Sequence, residues 1–225
     1  MSRPRVILPA AEAHRLWADC YDADPNPLVA LERRTAAGAL RVAGRRVLDV
    51  GCGTGDWLRQ ALDAGASGAG VDSSPEMLGR AAARGLALAR ADARMLPVRD
   101  RAFDVARAAF CAGYLEDPER LIAELARVAR PGGQVWLADL HPDAVARGWK
   151  RAFRAGEATC EIAAFCHTAA NLQAAGRRCG LILAARIDAA FDEPERRLFR
   201  AAGREAVFEE LRGSAALLAL VWNRP

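Results

Sequence analysis

Lysine is almost absent from this chain: Lys150 stands alone among 32 basic residues, and the other 31 are arginines. With alanine abundant, this bias reads as the mark of a GC-rich genome, not of an anionic partner. Most arginines alternate with acids along helical stretches, as over 117–130 and 193–212, where solvated i,i+4 pairs account for them. The net charge of +4 therefore gathers into no basic patch interleaved with aromatics, and nucleic acid is disfavoured as substrate or partner. No C-x-x-C pair occurs among Cys20, Cys52, Cys111, Cys160, Cys166 and Cys179, so neither a zinc site nor a disulfide framework is expected. The alternative is a set of thiolates for a metalloid, drawn from Cys160, Cys166 and Cys179. Their spacing matches no ligand pattern, no neighbouring base clearly activates them, and no metal is expected. Long apolar runs are missing, as is a leader of positive, apolar and small residues, which predicts a cytoplasmic protein with no membrane partner. Repeats and low-complexity linkers are absent, and 225 residues at 52% hydrophobic composition suffice for one globular domain over 1–225.

What is present is the stretch Val47-Leu48-Asp49-Val50-Gly51-Cys52-Gly53-Thr54-Gly55. Residues of buried-strand character run into three glycines spaced two apart, and an amphipathic segment over 56–64 follows at once. Glycines so placed let the backbone turn tightly and approach a ligand at the positive end of the next helix, a cradle for a small molecule. The spacing is G-x-G-x-G, not the G-x-G-x-x-G that grips a dinucleotide pyrophosphate. Lys150 also has no tyrosine four residues before it, so the tyrosine–lysine pair of a nicotinamide-dependent reductase is missing. A second strand-like run ends in Asp72, 21 residues beyond Gly51, where an acid can accept two hydrogen bonds from a ribose diol.

Strand-like segments at 47–50, 69–71, 86–91, 103–109, 134–138, 181–187 and 215–221 alternate with helix-like ones, which predicts an α/β fold with a doubly wound, mostly parallel sheet. Pro75 suits a first helical turn after Ser73 or Ser74, Pro118 does so after Asp117, Asn26-Pro27-Leu28 opens another helix, and Thr168 is a further cap. Arg130-Pro131-Gly132-Gly133 reads as a helix stop and tight turn into the fifth strand. Arg107, inside the fourth strand, is expected to reach an acid or the strand end, because an unpaired buried guanidinium is very costly.

Four ordered blocks carry a resemblance: VLDVGCGTG, GVDSSPEML from Gly70, ADARMLPVRDRAFDVA from Ala91 and ELARVARPGGQVWLADLHP from Glu124. Together they resemble class I S-adenosylmethionine-dependent methyltransferases, in the small-molecule branch that includes quinone-ring and natural-product enzymes. The likeness runs from about Tyr21 to the C-terminus. It implies a Rossmann-like, seven-stranded sheet with an antiparallel last strand, helices on both faces, and residues 195–211 as the helix joining the last two strands. It also implies S-adenosylmethionine as cofactor and S-adenosylhomocysteine as product. Asp49, Gly51, Cys52 and Gly53 would line the methionine and ribose side, Asp72 would hold the ribose hydroxyls, and Ser73 and Met77 would pack nearby. Asp92 would accept from the adenine amine, with the backbone N–H of Ala93 on a ring nitrogen; a simple turn cap is the alternative for Asp92. After the fourth strand the chain departs from the pattern. Ala108 and Ala109 replace a small polar residue, leaving only backbone at Ala109 for the cofactor, and Gly113 and Tyr114 replace a frequent histidine pair. The D/N-P-P-Y/F signature of amino-group methylation is absent.

Specificity then falls to an N-terminal helical lid over 1–40 and an insert over 141–168. Leu16-Trp17-Ala18-Asp19-Cys20-Tyr21-Asp22 resembles the family's aromatic lid, which implies Tyr21 at the cofactor carboxylate, with Trp17 and Tyr114 toward the substrate; filling the core is the alternative for Tyr114. His141, directly after the fifth strand, and His167, just before a helix, are the candidates to touch substrate or act as general base, with a structural role as the alternative. His14 is expected in solvent. Displacement at a sulfonium-activated methyl needs an aligned nucleophile and, for a hydroxyl or protonated amine, removal of its proton; proximity alone serves many such enzymes. The expected function is O-, N- or C-methylation of a small-molecule acceptor by a monomer or homodimer. A catalytically silent binding protein, or a methyltransferase for a metalloid or RNA, is the alternative.

Overall fold

The computed structural model describes residues 5–23 and 26–225; residues 1–4, 24 and 25 of the expected lid lie outside the described residues. In chain order the elements are β1 (Arg5–Leu8), α1 (Ala10–Trp17), α2 (Pro27–Ala39), β2 (Arg46–Val50), α3 (Asp56–Asp63), β3 (Ser67–Asp72), α4 (Pro75–Ala82), β4 (Leu88–Arg90) and β5 (Phe103–Ala109). After a 3-10 turn over Ala112–Tyr114 come α5 (Glu119–Val128), β6 (Ala129–Leu140), α6 (Pro142–Ala146), β7 (Ala152–Ala155), β8 (Ala158–Ile162), α7 (Ala169–Arg178), β9 (Ile182–Ala190), α8 (Glu193–Ala201), α9 (Glu205–Leu211) and β10 (Ala215–Asn223).

Seven strands pair in the order β4-β3-β2-β5-β6-β10-β9, and only β10 runs against its neighbours. The seven segments expected as strands are these seven, and the sheet has the expected mixed form. Alternate side chains along the central strands serve different layers. Leu48, Val50, Ala106, Ala108, Val135 and Leu137 pack with Leu121, Ile122 and Leu125 of α5 and Leu172 of α7. Val47, Val105, Trp136 and Ala138 face the opposite way, onto Leu31 of α2, Leu58 of α3, Phe199 of α8 and Phe208 of α9. Strand polarity leaves the carboxyl ends of β2, β3 and β5 side by side, where open α/β sheets take their ligands.

Helix starts follow the side chains that cap them. Ser74 Oγ accepts from the Met77 N–H (3.2 Å), Asn26 Oδ1 from Leu28 (2.9 Å) and Thr168 Oγ1 from Asn171 (3.2 Å). Asp117 Oδ1 accepts from the Glu119 N–H at 2.9 Å.

Three features depart from the sequence reading. Arg130–Gly133 is an excursion within β6, since the register against β5 moves from Phe103↔Ala129 straight to Val105↔Gln134. The helix expected over 195–211 is two helices, α8 and α9, with the chain broken over 202–204. The N-terminal lid is also not a purely helical unit. β1 pairs parallel with β8, and β8 antiparallel with β7, so the N-terminal segment and the insert close into one three-stranded sheet. α1 lies on it, with Ala13, Phe153, Cys160 and Ile162 as a small separate core. Helix α2, within the same expected lid, instead buries Leu31 and Ala36 in the main core.

Candidate functional site

The turn leaving β2 is built on left-handed backbone: Gly51, Gly53 and Gly55 have φ of 69°, 55° and 76°. A Cβ at Gly55 would overlap Cδ1 of Leu86 and lie 3.1 Å from Cβ of Ala81, on backbone that L residues resist. Gly55→Ala is expected to destabilise the fold by about 1–3 kcal/mol, read as a drop of several degrees in thermal denaturation.

Asp72, at the tip of β3, organises this turn. Its Oδ2 accepts from the Gly53 N–H (2.8 Å) and its Oδ1 from the Ser74 N–H (2.9 Å), so one carboxylate joins the glycine turn to the start of α4. Each carboxylate oxygen has a second lone pair for another donor. The Gly51 and Cys52 N–H groups both donate to the Val71 carbonyl (2.7 and 3.1 Å), which fixes the turn against β3. Met77 is buried below, and Ser73 is exposed at the rim. Cys111, after β5, closes over the turn, its Sγ 3.3 Å from where a Gly51 Cβ would stand. Burial pushes the Cys111 thiol up to about 12 and the Cys52 thiol higher still, so both stay neutral.

The remaining residues expected at the cofactor are placed as follows. Asp92 sits half-buried past β4, accepting the Arg94 N–H (2.8 Å) and holding its guanidinium, which keeps the Asp92 carboxyl below the usual range; Ala93 adjoins it. This is the turn-cap arrangement. Asp49 is 1% exposed, and its Oδ1 takes Arg107 Nη1 at 2.6 Å, while Arg107 Nη2 reaches Glu32 Oε2 at 2.6 Å. Arg107 thus finds acids, as its cost when unpaired required. Ala109 ends β5, and Phe110 beyond it has φ 56°, a strained setting for a bulky residue that marks the strand tip.

The N-terminal segment gathers aromatic rings with Tyr114 and Phe153. Trp17 stacks on Phe153 (centroids 5.0 Å apart), Tyr21 meets Trp17 edge-on (4.7 Å), and His14 meets Tyr114 edge-on (4.9 Å). The Arg151 guanidinium lies 4.7 Å from the Tyr114 ring centre. Burial pushes the Tyr21 and Tyr114 phenols above their ordinary value, so both are neutral. Asp22 bonds Thr54 Oγ1 (2.8 Å) and Arg84 (2.6 Å), and Asp19 bonds Arg80 (2.5 Å), which ties the segment after α1 to the glycine turn and α4.

The histidines need the largest corrections. His141, a candidate base, is 4% exposed; its Nδ1 accepts the Asp143 N–H (3.1 Å) as the cap of α6, so Nε2 bears the proton toward Asp188 Oδ1 (2.9 Å). Both nitrogens are engaged in structure, and no lone pair is left for a substrate. His167 Nε2 donates to the carbonyls of Leu115 (2.8 Å) and Ala112 (3.2 Å), which pins the 3-10 turn and puts its lone pair on Nδ1. His14, expected in solvent, is half-buried, and neither ring nitrogen has a hydrogen-bond partner among the described residues. Burial lowers its pKa from 6.5, Asp72 pulls against that and Arg151 adds to it.

Asp139 and Arg151 escaped the sequence reading. Asp139 Oδ2 accepts the Gly113 N–H (2.7 Å) and Oδ1 accepts Arg151, while Arg151 Nη1 also donates to the Phe110 carbonyl (3.1 Å). A small cavity beside them is walled by Ala112, Cys166 and His167. The acid ending β6 was visible in the fourth block; Arg151, inside the insert, carried no local signal. Cys160 is in the lid core, Cys166 is exposed and Cys179 ends α7; burial raises the thiols of Cys166 and Cys179, and no described group of three His, Cys, Asp or Glu could hold a metal. No helix among the described residues is long and apolar enough to cross a membrane.

Comparison with known proteins agrees with this geometry. Residues 48–137 match the methyltransferase domain family. The chain is 36% identical over 142 residues to a phosphatidylethanolamine N-methyltransferase of Cereibacter sphaeroides, covering 57% of this chain and 66% of that protein. It is 40% identical over 119 residues to the demethylmenaquinone methyltransferase of Thermus thermophilus, covering 49% and 54%. The chain thus spans between about half and just under two thirds of these curated relatives. In fold it matches a crystal structure of an S-adenosylmethionine-dependent methyltransferase from Mesorhizobium loti with TM-score 0.70, at 24% identity over 88% of this chain and 100% of that one. With the glycine turn, the acid ending β3 and the antiparallel β10 in one frame, residues 48–137 carry a methyltransferase domain, and the chain has the fold of an S-adenosylmethionine-dependent methyltransferase.

Proposed function

We propose that this chain transfers a methyl group from S-adenosylmethionine to a small-molecule acceptor. The observation that carries the reading is Asp72, which holds the Gly53 and Ser74 N–H groups and keeps a lone pair on each oxygen for a ribose diol. Asp92 and Ala93 would meet the adenine; the glycine turn, Asp49 and Tyr21 would meet the methionine end. When bound, the cofactor supplies a methyl carbon already activated by sulfonium charge. The chain's own residues orient the acceptor and keep water out: Trp17, Tyr21, Tyr114 and Phe153 roof the cleft, and the neutral thiols of Cys52 and Cys111 line its floor. Where the acceptor is a hydroxyl or protonated amine, His14 would take its proton, with Nδ1 of His167 as the second candidate. A small-molecule acceptor is supported by the relatives, whose names specify a phosphatidylethanolamine and a demethylmenaquinone.

Titration with S-adenosylmethionine or S-adenosylhomocysteine is expected to give micromolar binding and a melting temperature that climbs with ligand. A hundredfold excess over Kd would stabilise the fold by about 2.7 kcal/mol. Calorimetric silence with both ligands, together with heat on adding NAD, would overturn the reading.

A further inference from the structure

Beneath the glycine turn lies a charge cluster that fold maintenance does not explain. Glu32, Asp49 and Arg107 are all at most 5% exposed, and two carboxylates share one guanidinium at 2.6 Å each. Trp136 Nε1 adds a hydrogen bond to Glu32 Oε1 (2.9 Å), and the guanidinium lies 4.2 Å from the Trp57 ring centre. With every member ionised the cluster carries one net negative charge. Burial pushes the Asp49 carboxyl upward, against the pull of Arg107, with Glu32 and Asp72 adding smaller rises. One atom of the cluster remains unserved: Arg107 Nε is buried with no partner. Buried ion clusters are commonly no more stable than apolar packing of the same volume, so stability alone gives no reason for the unmatched charge. What it lacks is one cation.

Asp49 stands one residue before the last position of β2, and the turn that follows is the floor of the proposed cleft. The methyl donor and its product differ there by a single positive charge, sulfonium against thioether. Resting on the proposed function, we infer that the Glu32–Arg107–Asp49 cluster makes the cleft prefer the cationic methyl donor over its neutral product, so that product is readily displaced by fresh donor. Glu32 and Arg107 act through Asp49 as positioning residues and touch no ligand. A unit charge about 10 Å away at an effective dielectric near 20 changes affinity on the order of tenfold, enough to set that preference.

Calorimetry on the full chain tests this with three probes: S-adenosylmethionine, S-adenosylhomocysteine, and sinefungin, whose protonated amine replaces the methylsulfonium. Glu32→Gln removes one negative charge and keeps an oxygen for Trp136. It is expected to weaken both cationic probes about five- to twentyfold and to leave S-adenosylhomocysteine within about twofold. Asp49→Asn, the second variant should the first not fold, is expected to move the cation-to-thioether ratio in the same direction. An unchanged ratio in the folded variant, or equal loss of all three probes, overturns the inference while the proposed function stands. A parent chain that binds none of the three overturns the proposed function itself, and the inference with it.

Discussion

Asp72→Ala is expected to weaken S-adenosylmethionine and S-adenosylhomocysteine alike by about 1.5–3 kcal/mol, roughly 10- to 150-fold in Kd, while the fold survives. Two losses combine. The ribose hydroxyls lose a charged acceptor, and the Gly53 and Ser74 N–H groups, at 2.8 and 2.9 Å from the carboxylate, lose the partner that joins the turn to α4. Asp72→Asn separates a charge effect from a geometric one. An amide keeps one accepting oxygen but faces the other backbone N–H with a second donor, so Asn is expected to fall nearer to Ala than to the parent. Calorimetry with both ligands, alongside a melting curve to establish folding, decides the matter. Parental affinity in the alanine variant would remove Asp72 from the ribose.

The main sheet was legible because its signals are local. A buried run before a glycine turn, an acid at the end of the next strand and proline just inside a helix each fix a conformation within a few residues. The position of Arg107 was also legible, since a guanidinium within a central strand must find acids; which acids it finds depends on α2, 75 residues away from it in sequence at Glu32. What could not be read was whatever depends on the chain returning from afar. β1 is four residues long, and it becomes a strand only because β8 arrives beside it more than 150 residues later. That pairing places α1 over Tyr114 and carries His14 out of solvent. His141 was misplaced for a related reason. Its position after β6 suggested the cleft, but the imidazole turns to cap α6 and meets Asp188 on β9, a contact no local pattern announces.

The same long-range closure decides where a proton acceptor can stand. His14→Ala is expected to lower turnover about 10²–10⁴-fold on a hydroxyl or ammonium acceptor and to leave cofactor affinity nearly unchanged. The imidazole, on α1, sits against Tyr114, within reach of the charge of Asp72, and has both nitrogens open among the described residues. Burial, reinforced by Arg151 and opposed by Asp72, holds it neutral below the usual 6.5. A base must be unprotonated, so its active fraction falls as pH drops through that lowered pKa. Turnover of the parent should therefore hold level at neutral pH and decline only on the acid side of 6.5. The alanine variant should lose that limb. His167→Ala is the comparison: with Nε2 committed to the carbonyls of Ala112 and Leu115, its removal is expected to loosen the 3-10 turn and lower the melting temperature. Transfer of labelled methyl from S-adenosylmethionine into a metabolite extract, followed across pH, reads both variants. If His14→Ala keeps parental turnover and the acid limb disappears only with His167→Ala, the base is His167. If neither variant changes the profile, alignment of the acceptor beneath the aromatic lid is the whole of the catalysis.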